Sequence, residues 1–395
     1  MKQIQLKRGK EESLLRFHPW IFSGAIQHID NGVEEGDVVR VVDSRNNFIA
    51  IGHYQQGSIS VRVLTFNDVE IDDNFWFSRL SSALHLRQTL GLTANSDTDI
   101  NNANNTYRLV HGEGDLLPGL IIDIYGGTAV MQAHSIGIHK CRKEIANQLV
   151  KVMGSTIKSV YYKSETTLPF MELDNGFLYG ESDENIGTEN GLKFYVDWLK
   201  GQKTGFFVDQ RDNRKLLEHY ANGRRVLNMF CYTGGFSVYA LRGNAQAVHS
   251  VDSSAKAIDL TKANVELNFP SDKRHQAFCE DAFKYLDAAG SDYDLIILDP
   301  PAFAKHRAAL HNALKGYTRL NAKAFEKIQK GGILFTFSCS QVVSKDHFRN
   351  AVFTAAAQAK RKVRILHQLH QPADHPINIY HPEGEYLKGL VLSVE

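Results

Sequence analysis

The chain has 395 residues, 43% of them hydrophobic and 23% charged, with a formal net charge of +1. That length holds two or three domains of roughly 100–200 residues each, and a charge so near zero excludes a whole-chain field strong enough to announce a nucleic-acid partner by itself. The longest apolar runs, such as Gly332-Ile-Leu-Phe-Thr-Phe337, fall far short of the ~20 residues that span a bilayer, so no membrane segment is expected.

The first residues, Met1-Lys-Gln-Ile-Gln-Leu-Lys-Arg8, are basic but have no apolar core or small-residue cleavage site behind them. A cytoplasmic protein is expected. Over residues 1–73 short alternating segments recur: Asp37-Val-Val-Arg-Val-Val42, Phe48-Ile-Ala-Ile51 and Ile59-Ser-Val-Arg-Val-Leu64. Turn pairs such as Asn31-Gly32, Gly36-Asp37 and Asn46-Asn47 separate them, which predicts a small, mostly β barrel or sandwich. Lys2, Lys7, Arg8, Lys10 and Arg16 give this part a basic start.

Residues 74–186 read as α+β. A helix is predicted over 75–90, where Phe75, Leu80 and Leu84 recur at helical spacing. The stretch 94–106, dense in Asn, Asp, Ser and Thr, is predicted to be a loop. Strands follow over 120–124 and 129–132, then a helix near 140–152 and a strand near 159–163.

From 187 to 395 the rhythm is strand, loop, helix, repeated. Candidate strands lie over 225–229, 247–251, 294–298 and 333–337, with a last one over 389–394. Several are continuously apolar, as in a parallel sheet covered by helices on both faces. A second basic stretch, Lys305, Arg307, Lys315, Arg319, Lys323, Lys327 and Lys330, runs through this part.

Ligands of such a sheet bind beyond the carboxyl ends of its strands, so the residues following each strand carry the information. After the first comes Asn228-Met-Phe-Cys-Tyr-Thr-Gly-Gly-Phe236, where Gly234 and Gly235 let the backbone turn sharply. The G-x-G-x-x-G cradle that a pyrophosphate needs is absent. The second strand ends at Asp252, seventeen residues beyond Gly235, a place suited to bonding both hydroxyls of a ribose; its alternative use is as the cap of the helix beginning near Ser254. The third ends Phe278-Cys-Glu-Asp281-Ala282, with a carboxylate placed to accept from an adenine amino group. The fourth is Leu295-Ile-Ile-Leu-Asp299-Pro300-Pro301-Ala-Phe303, in which two prolines fix the backbone and remove two donors. The fifth ends Phe337-Ser-Cys339-Ser340, which sets a thiol at the same edge. The other cysteines, Cys141, Cys231 and Cys279, lack metal or redox spacing and are expected to be free thiols.

In order, these pieces resemble the motif series of class I methyltransferases, Rossmann-like α/β domains that use S-adenosylmethionine. More closely, the chain resembles the bacterial 23S ribosomal RNA cytosine-5 methyltransferase family of the large-subunit methyltransferase I type. The likeness covers nearly the whole chain. It runs through His18-Pro-Trp-Ile-Phe-Ser-Gly24, Tyr107-Arg-Leu-Val-His-Gly-Glu-Gly-Asp-Leu-Leu-Pro-Gly119 and Lys203-Thr-Gly-Phe-Phe-Val-Asp-Gln-Arg-Asp212 to Ala373-Asp-His-Pro376 and Gly384-Glu-Tyr-Leu-Lys-Gly389.

The resemblance implies an N-terminal PUA-like RNA-binding barrel (1–73), a central α+β domain (74–186) and a C-terminal methyltransferase domain (187–395). It implies 23S ribosomal RNA as partner and S-adenosylmethionine as cofactor, held by Gln210, Arg211, Tyr232, Thr233, Gly234, Gly235, Asp252, Asp281, Ala282, Asp299 and Pro300. Cys339 is the implied nucleophile, with Asp299 on the base. The Asn-rich stretch 101–105 is longer than the family's and is expected to be a surface insertion. Many RNA cytosine-5 methyltransferases have a second cysteine where Pro301 stands here, so the route of product release is left open. No feature fixes an oligomeric state, a homodimer included.

Two rival readings stay beside this one. Asp-Pro-Pro-Ala-Phe is similar to the strand-four motif of methyltransferases acting on nitrogen, and a guanine-methylating relative has Asn where Cys339 stands. A non-catalytic RNA-binding module would have no use for Asp252, Asp281, Asp299 and Cys339 together. A dehydrogenase is disfavoured by the missing glycine fingerprint.

Overall fold

A computed structural model describes residues 1–93, 103–171 and 173–395. The chain folds into two compact units: Met1–Gly191 with Val196–Val208 and Ala373–Gly384, and Leu192–Tyr195 with Asp209–Pro372 and Glu385–Glu395.

The first unit holds two sheets, each with its own core. In one, Trp20–Phe22, Ile59–Thr65, Phe48–Tyr54, Val38–Val42, Gln3–Leu6 and Ile26–Ile29 lie side by side in that order. The two-residue period of a strand sends Ile4, Leu6, Val39, Val41, Val61 and Val63 into a single core. The other sheet orders Gly176–Tyr179, Ser159–Tyr162, Thr128–Ala133, Leu120–Tyr125 and Thr106–His111. Helices Asp73–Thr89 and Arg142–Met153 supply Trp76, Leu80, Ile145 and Leu149 to its core. The helix predicted near 140–152 is Arg142–Met153, and a short helix, Ile136–Lys140, precedes it and meets it at Cys141 (φ −87°, ψ 8°). Arg142 donates from Nη1 to the His139 carbonyl at 2.7 Å, taking an acceptor at the end of the first helix. Of the loop predicted over 94–106, residues 94–102 lie outside the described residues, as do the first two of the Asn-rich stretch 101–105; Thr106 already begins a strand.

The second unit is an open seven-stranded sheet. Its helices are α1 (Arg211–Tyr220), α2 (Gly235–Arg242), α3 (Ala255–Asn268), α4 (Ala282–Ala288), α5 (Leu310–Lys327) and α6 (Lys345–Gln358). Its strands are β1 (Arg225–Met229), β2 (Ala247–Asp252), β3 (His275–Cys279), β4 (Tyr293–Leu298), β5 (Ile328–Ser338), β6 (Val363–Leu369) and β7 (Lys388–Val394). They lie in the order β3-β2-β1-β4-β5-β7-β6. The first five are parallel, and β7 runs antiparallel between β5 and β6.

The central strand β4 reads as an apolar run because both of its faces are covered; Leu295, Ile296, Ile297 and Leu298 are each fully buried. On α5 the residues Ala313, Tyr317, Leu320 and Ala324 recur every three or four positions and all face the core. The chain builds β2 and β3 on one flank of β1, then crosses back to place β4 on the other. That reversal opens a crevice beyond the carboxyl ends of β1 and β4.

Candidate active site

The loop after β1 is held in an unusual backbone. Phe230, Tyr232 and Gly234 have φ of 58°, 47° and 76°, and for the two non-glycine residues this left-handed region costs about 1–2 kcal/mol each. Bonds from around the loop hold it there. Cys231 N–H donates to the Val251 carbonyl at 3.1 Å and Gly234 N–H to the Cys231 carbonyl at 2.8 Å. From α3, Thr261 Oγ1 donates to the Tyr232 carbonyl at 2.9 Å and Asn264 Nδ2 to the Thr233 carbonyl at 2.8 Å. At Gly234 a Cβ would stand 2.6 Å from Thr261 Cγ2, so the position requires glycine on space as well as φ. Gly235 opens α2 with Arg214 beside it; a Cβ there would stand 3.0 Å from Arg214 Cδ. Burial pushes the Cys231 thiol up to about 12, which keeps it neutral, and its Sγ lies 3.6 Å from Thr261 Oγ1.

Asp252 ends β2 and spans the base of that loop. Its Oδ2 accepts from Tyr232 N–H at 3.0 Å and its Oδ1 from Ser254 N–H at 2.9 Å. A carboxylate has about four lone-pair sites, so each oxygen keeps capacity for a ligand hydroxyl. Capping of α3 falls instead to Ser254, whose side chain accepts from Ala257 N–H at 3.3 Å. A carboxylate cap does occur one strand along: Asp281 accepts from Phe283 and Lys284 N–H, both at 3.0 Å through Oδ1. Ala282, buried, is the first residue of α4.

Asp299 follows β4 and accepts from Gln210 Nε2 at 3.1 Å. Gln210 is buried, and its Oε1 accepts from Asn213 Nδ2 at 2.7 Å, which fixes the amide's direction. Arg211, also buried, opens α1 with Nε 3.7 Å from Asp212 Oδ1. Pro300 is buried and Pro301 exposed, so the chain turns outward between them.

Cys339 follows Ser338 at the end of β5 and is partly exposed. The parallel register pairs Met229 with Val251 and Leu298, and Leu298 with Thr336. The turn 230–235, Asp252, Asp281, Asp299 and Cys339 therefore follow adjacent strands at one edge of the sheet. Cys141 belongs to the first unit, and burial pushes its thiol up to about 11. Cys279, the last residue of β3, is exposed, with its thiol 3.6 Å from the Ser253 carbonyl.

Three residues around Cys339 carry no sequence signal of a role. Tyr317, on α5, is fully buried; its hydroxyl accepts from Ser338 Oγ at 2.9 Å. Burial pushes this phenol up to about 12, with the charges of Cys339 and Asp299 adding to the rise, so it stays protonated close to both. The Phe303 ring packs on Tyr317 with centroids 4.6 Å apart. Ser340 donates to the Ala304 carbonyl at 2.6 Å, tying the loop after β5 to the loop after β4. Lys388, at the start of β7, donates to the carbonyls of Ser340 at 2.5 Å and Val343 at 2.8 Å. Tyr317 lies among apolar helix positions and reads as core. Lys388 stands inside the Gly384–Gly389 motif, where spacing alone assigns it no chemistry.

The chain as a whole is similar to known proteins. Residues 174–383 match the S-adenosylmethionine-dependent methyltransferase family and residues 4–66 match PUA-like domains. The chain is 42% identical to the ribosomal RNA large subunit methyltransferase I of Tolumonas auensis, over 98% of each chain. It is 39% identical to the protein of the same name from Erwinia tasmaniensis, over 99% of each. Among solved structures, a chain described as a methyltransferase and solved in complex with SAH is similar over the full length of both, with a TM-score of 0.84 at 24% identity. A second, from Streptococcus mutans, gives a TM-score of 0.83 at 23% identity over the same extent. At that identity the likeness to solved structures is one of fold.

Proposed function

Because the chain belongs to the ribosomal RNA large subunit methyltransferase I family, we propose that it methylates carbon 5 of a cytosine in 23S ribosomal RNA, with Cys339 as the nucleophile. S-adenosylmethionine is the family's cofactor, and the residues beyond β1 and β2 fit it. The glycine turn has no pyrophosphate cradle, and this cofactor has no phosphate; Asp252 keeps lone pairs on both oxygens, as a ribose diol requires. We assign cofactor contacts to Gln210, Arg211, Tyr232, Thr233, Gly234, Gly235, Asp252, Asp281, Ala282, Asp299 and Pro300.

Carbon 5 of cytosine is a weak nucleophile, and the cofactor supplies an electrophilic methyl group. In this reading the Cys339 thiolate adds to carbon 6, forming an S–C bond and leaving the ring electron-rich at carbon 5. Asp299, oriented by Gln210, holds the N3 edge and favours the protonated ring as charge develops. After methyl transfer the carbon 5 proton leaves to a base, the S–C bond breaks, and the electron pair returns to sulfur. The target nucleotide leaves its stack to reach the crevice. The observation that carries the reading is a partly exposed thiol at the end of β5, beside Asp299 at the end of the adjacent parallel strand β4. Mass-spectrometric mapping of 5-methylcytidine in ribosomal RNA, with and without the protein, tests it. A methyl group on nitrogen, or none, rejects it.

Two further results are expected. Asp252→Ala weakens cofactor binding by about 1–3 kcal/mol, since the diol loses a charged acceptor and Tyr232 N–H loses its partner. Calorimetry on the folded variant with unchanged affinity removes Asp252 from the site. The exposed Arg8, Lys10 and Arg16 bind RNA phosphates, so changing all three to Gln flattens the salt dependence of RNA binding. The slope of log K against log salt falls by about 0.7 to 0.9 for each phosphate that is no longer neutralised. A variant whose slope equals that of the wild type places the phosphate-binding residues elsewhere.

A further inference from the structure

We infer that Lys388 is a positioning residue for Cys339: its ammonium holds the loop that carries the thiol and stabilises the thiolate. The inference rests on the reading of Cys339 as nucleophile and adds what activates it.

The placement begins in the sheet. Lys388 is the direct cross-strand partner of Ser338 in the antiparallel β5–β7 pair, one residue before the thiol. Its side chain is 5% exposed, far less than is usual for lysine. The burial is answered by two short bonds, to the Ser340 and Val343 carbonyls at 2.5 and 2.8 Å. Those carbonyls belong to the turn that follows Cys339, so the ammonium and the strand pairing clamp the chain on both sides of the sulfur. An ammonium has three donors, of which two are on these carbonyls.

A buried cation that only closed a turn would be an expensive way to satisfy two carbonyls, because desolvating a charge costs several kcal/mol. A neighbouring anion is what offsets that cost. Burial pulls the Lys388 ammonium down to about 8, while negative charge on Cys339 and on Glu385 pulls it back up and Lys345 pushes it down. Lys345 and Glu385 pair with each other at 2.5 Å and largely cancel. Tyr317, which accepts from Ser338, is kept a neutral phenol by burial. Once the thiol ionises, Cys339 and Lys388 face each other as opposite charges. In that step the S–H bond breaks, the electron pair stays on sulfur, the proton goes to water, and Lys388 keeps its own three protons.

The test follows alkylation of Cys339 by iodoacetamide in the full chain, from about pH 6 to about pH 10. Peptide mass mapping separates Cys339 from the exposed Cys279, which serves as an internal control. In the wild type the midpoint for Cys339 is expected below the ordinary cysteine value of about 8.5. Lys388→Met is expected to raise the midpoint by about one pH unit, which is a tenfold smaller thiolate fraction near neutrality. Lys388→Arg restores most of the shift, and cofactor affinity stays unchanged in both variants. A loop merely loosened would change exposure at every pH without moving the midpoint. A wild-type midpoint at or above that of Cys279, or a Lys388→Met curve that superimposes on the wild type, overturns the assignment; the first applies even where the variants fail to fold. Since alkylation needs neither RNA nor methyl transfer, failure here is separate from failure of the cytosine-5 reading, which is decided by the turnover of a Cys339 variant.

Discussion

Cys339→Ala is expected to bind S-adenosylmethionine with wild-type affinity and to lose methyl transfer by at least about three orders of magnitude, the effect of removing a covalent nucleophile. The partly exposed thiol is not among the residues assigned to the cofactor, so binding and turnover separate in this variant. RNA carrying 5-fluorocytidine at the target makes the difference visible. Fluorine at carbon 5 cannot leave as a cation, so elimination stalls after methyl transfer and the bond between sulfur and carbon 6 persists. The wild type is expected to form that adduct, and Cys141→Ala and Cys279→Ala with it; Cys339→Ala forms none. Methylation on nitrogen needs no covalent step and gives no adduct with any variant. Near-normal turnover by Cys339→Ala, or an adduct mapped to another cysteine, sinks the mechanism while leaving the fold and cofactor standing.

Asp299→Ala is expected to lower kcat by about 100- to 1,000-fold, the usual effect of removing one group aimed at developing charge. The Asn variant sharpens the point. Its side-chain oxygen still accepts from Gln210, which now donates to Asp299 at 3.1 Å, but it has no charge to favour ring protonation. If charge is the contribution, Asn loses nearly as much as Ala. If geometry alone matters, Asn stays close to wild type. Single-turnover kinetics at saturating cofactor make the measurement, and a kcat within about twofold of wild type for Ala removes Asp299 from the chemistry.

Much of this edge was legible in the sequence, for a physical reason. A parallel strand covered on both faces is mostly apolar, so β4 and the second half of β5 stand out as near-continuous runs, and the residue after each run lies at the ligand edge. Asp299 and Cys339 follow from that rule, and Asp252 from its spacing beyond the glycine turn. Strands with one wet face leave less trace. Gln3–Leu6 buries only Ile4 and Leu6, and β6 has partly or fully exposed residues throughout. The short helix Ile136–Lys140 left no separate signal, since five residues are too few to show a helical period.

The role of Asp281 was only half legible. A carboxylate after a strand suits either an adenine contact or a helix cap, and in the fold Oδ1 caps α4. Tyr317 and Lys388 escaped for a different reason. Each is brought to the end of β5 by contacts between distant segments, and residue type and spacing contain no information about those contacts.

The position of β7 bears on how the enzyme comes into being. This strand follows every other strand of its sheet in the chain, yet lies inside the sheet, between β5 and β6. While the polypeptide is being made, β5 has neither its antiparallel neighbour nor the lysine that clamps the turn after it. Contacts between segments this far apart form late, after the loop-closure entropy has been met. During that interval the cysteine stands on an open strand, without its counter-charge. On the assignment of Lys388 made above, the thiol gains its counter-charge only when β7 closes the sheet.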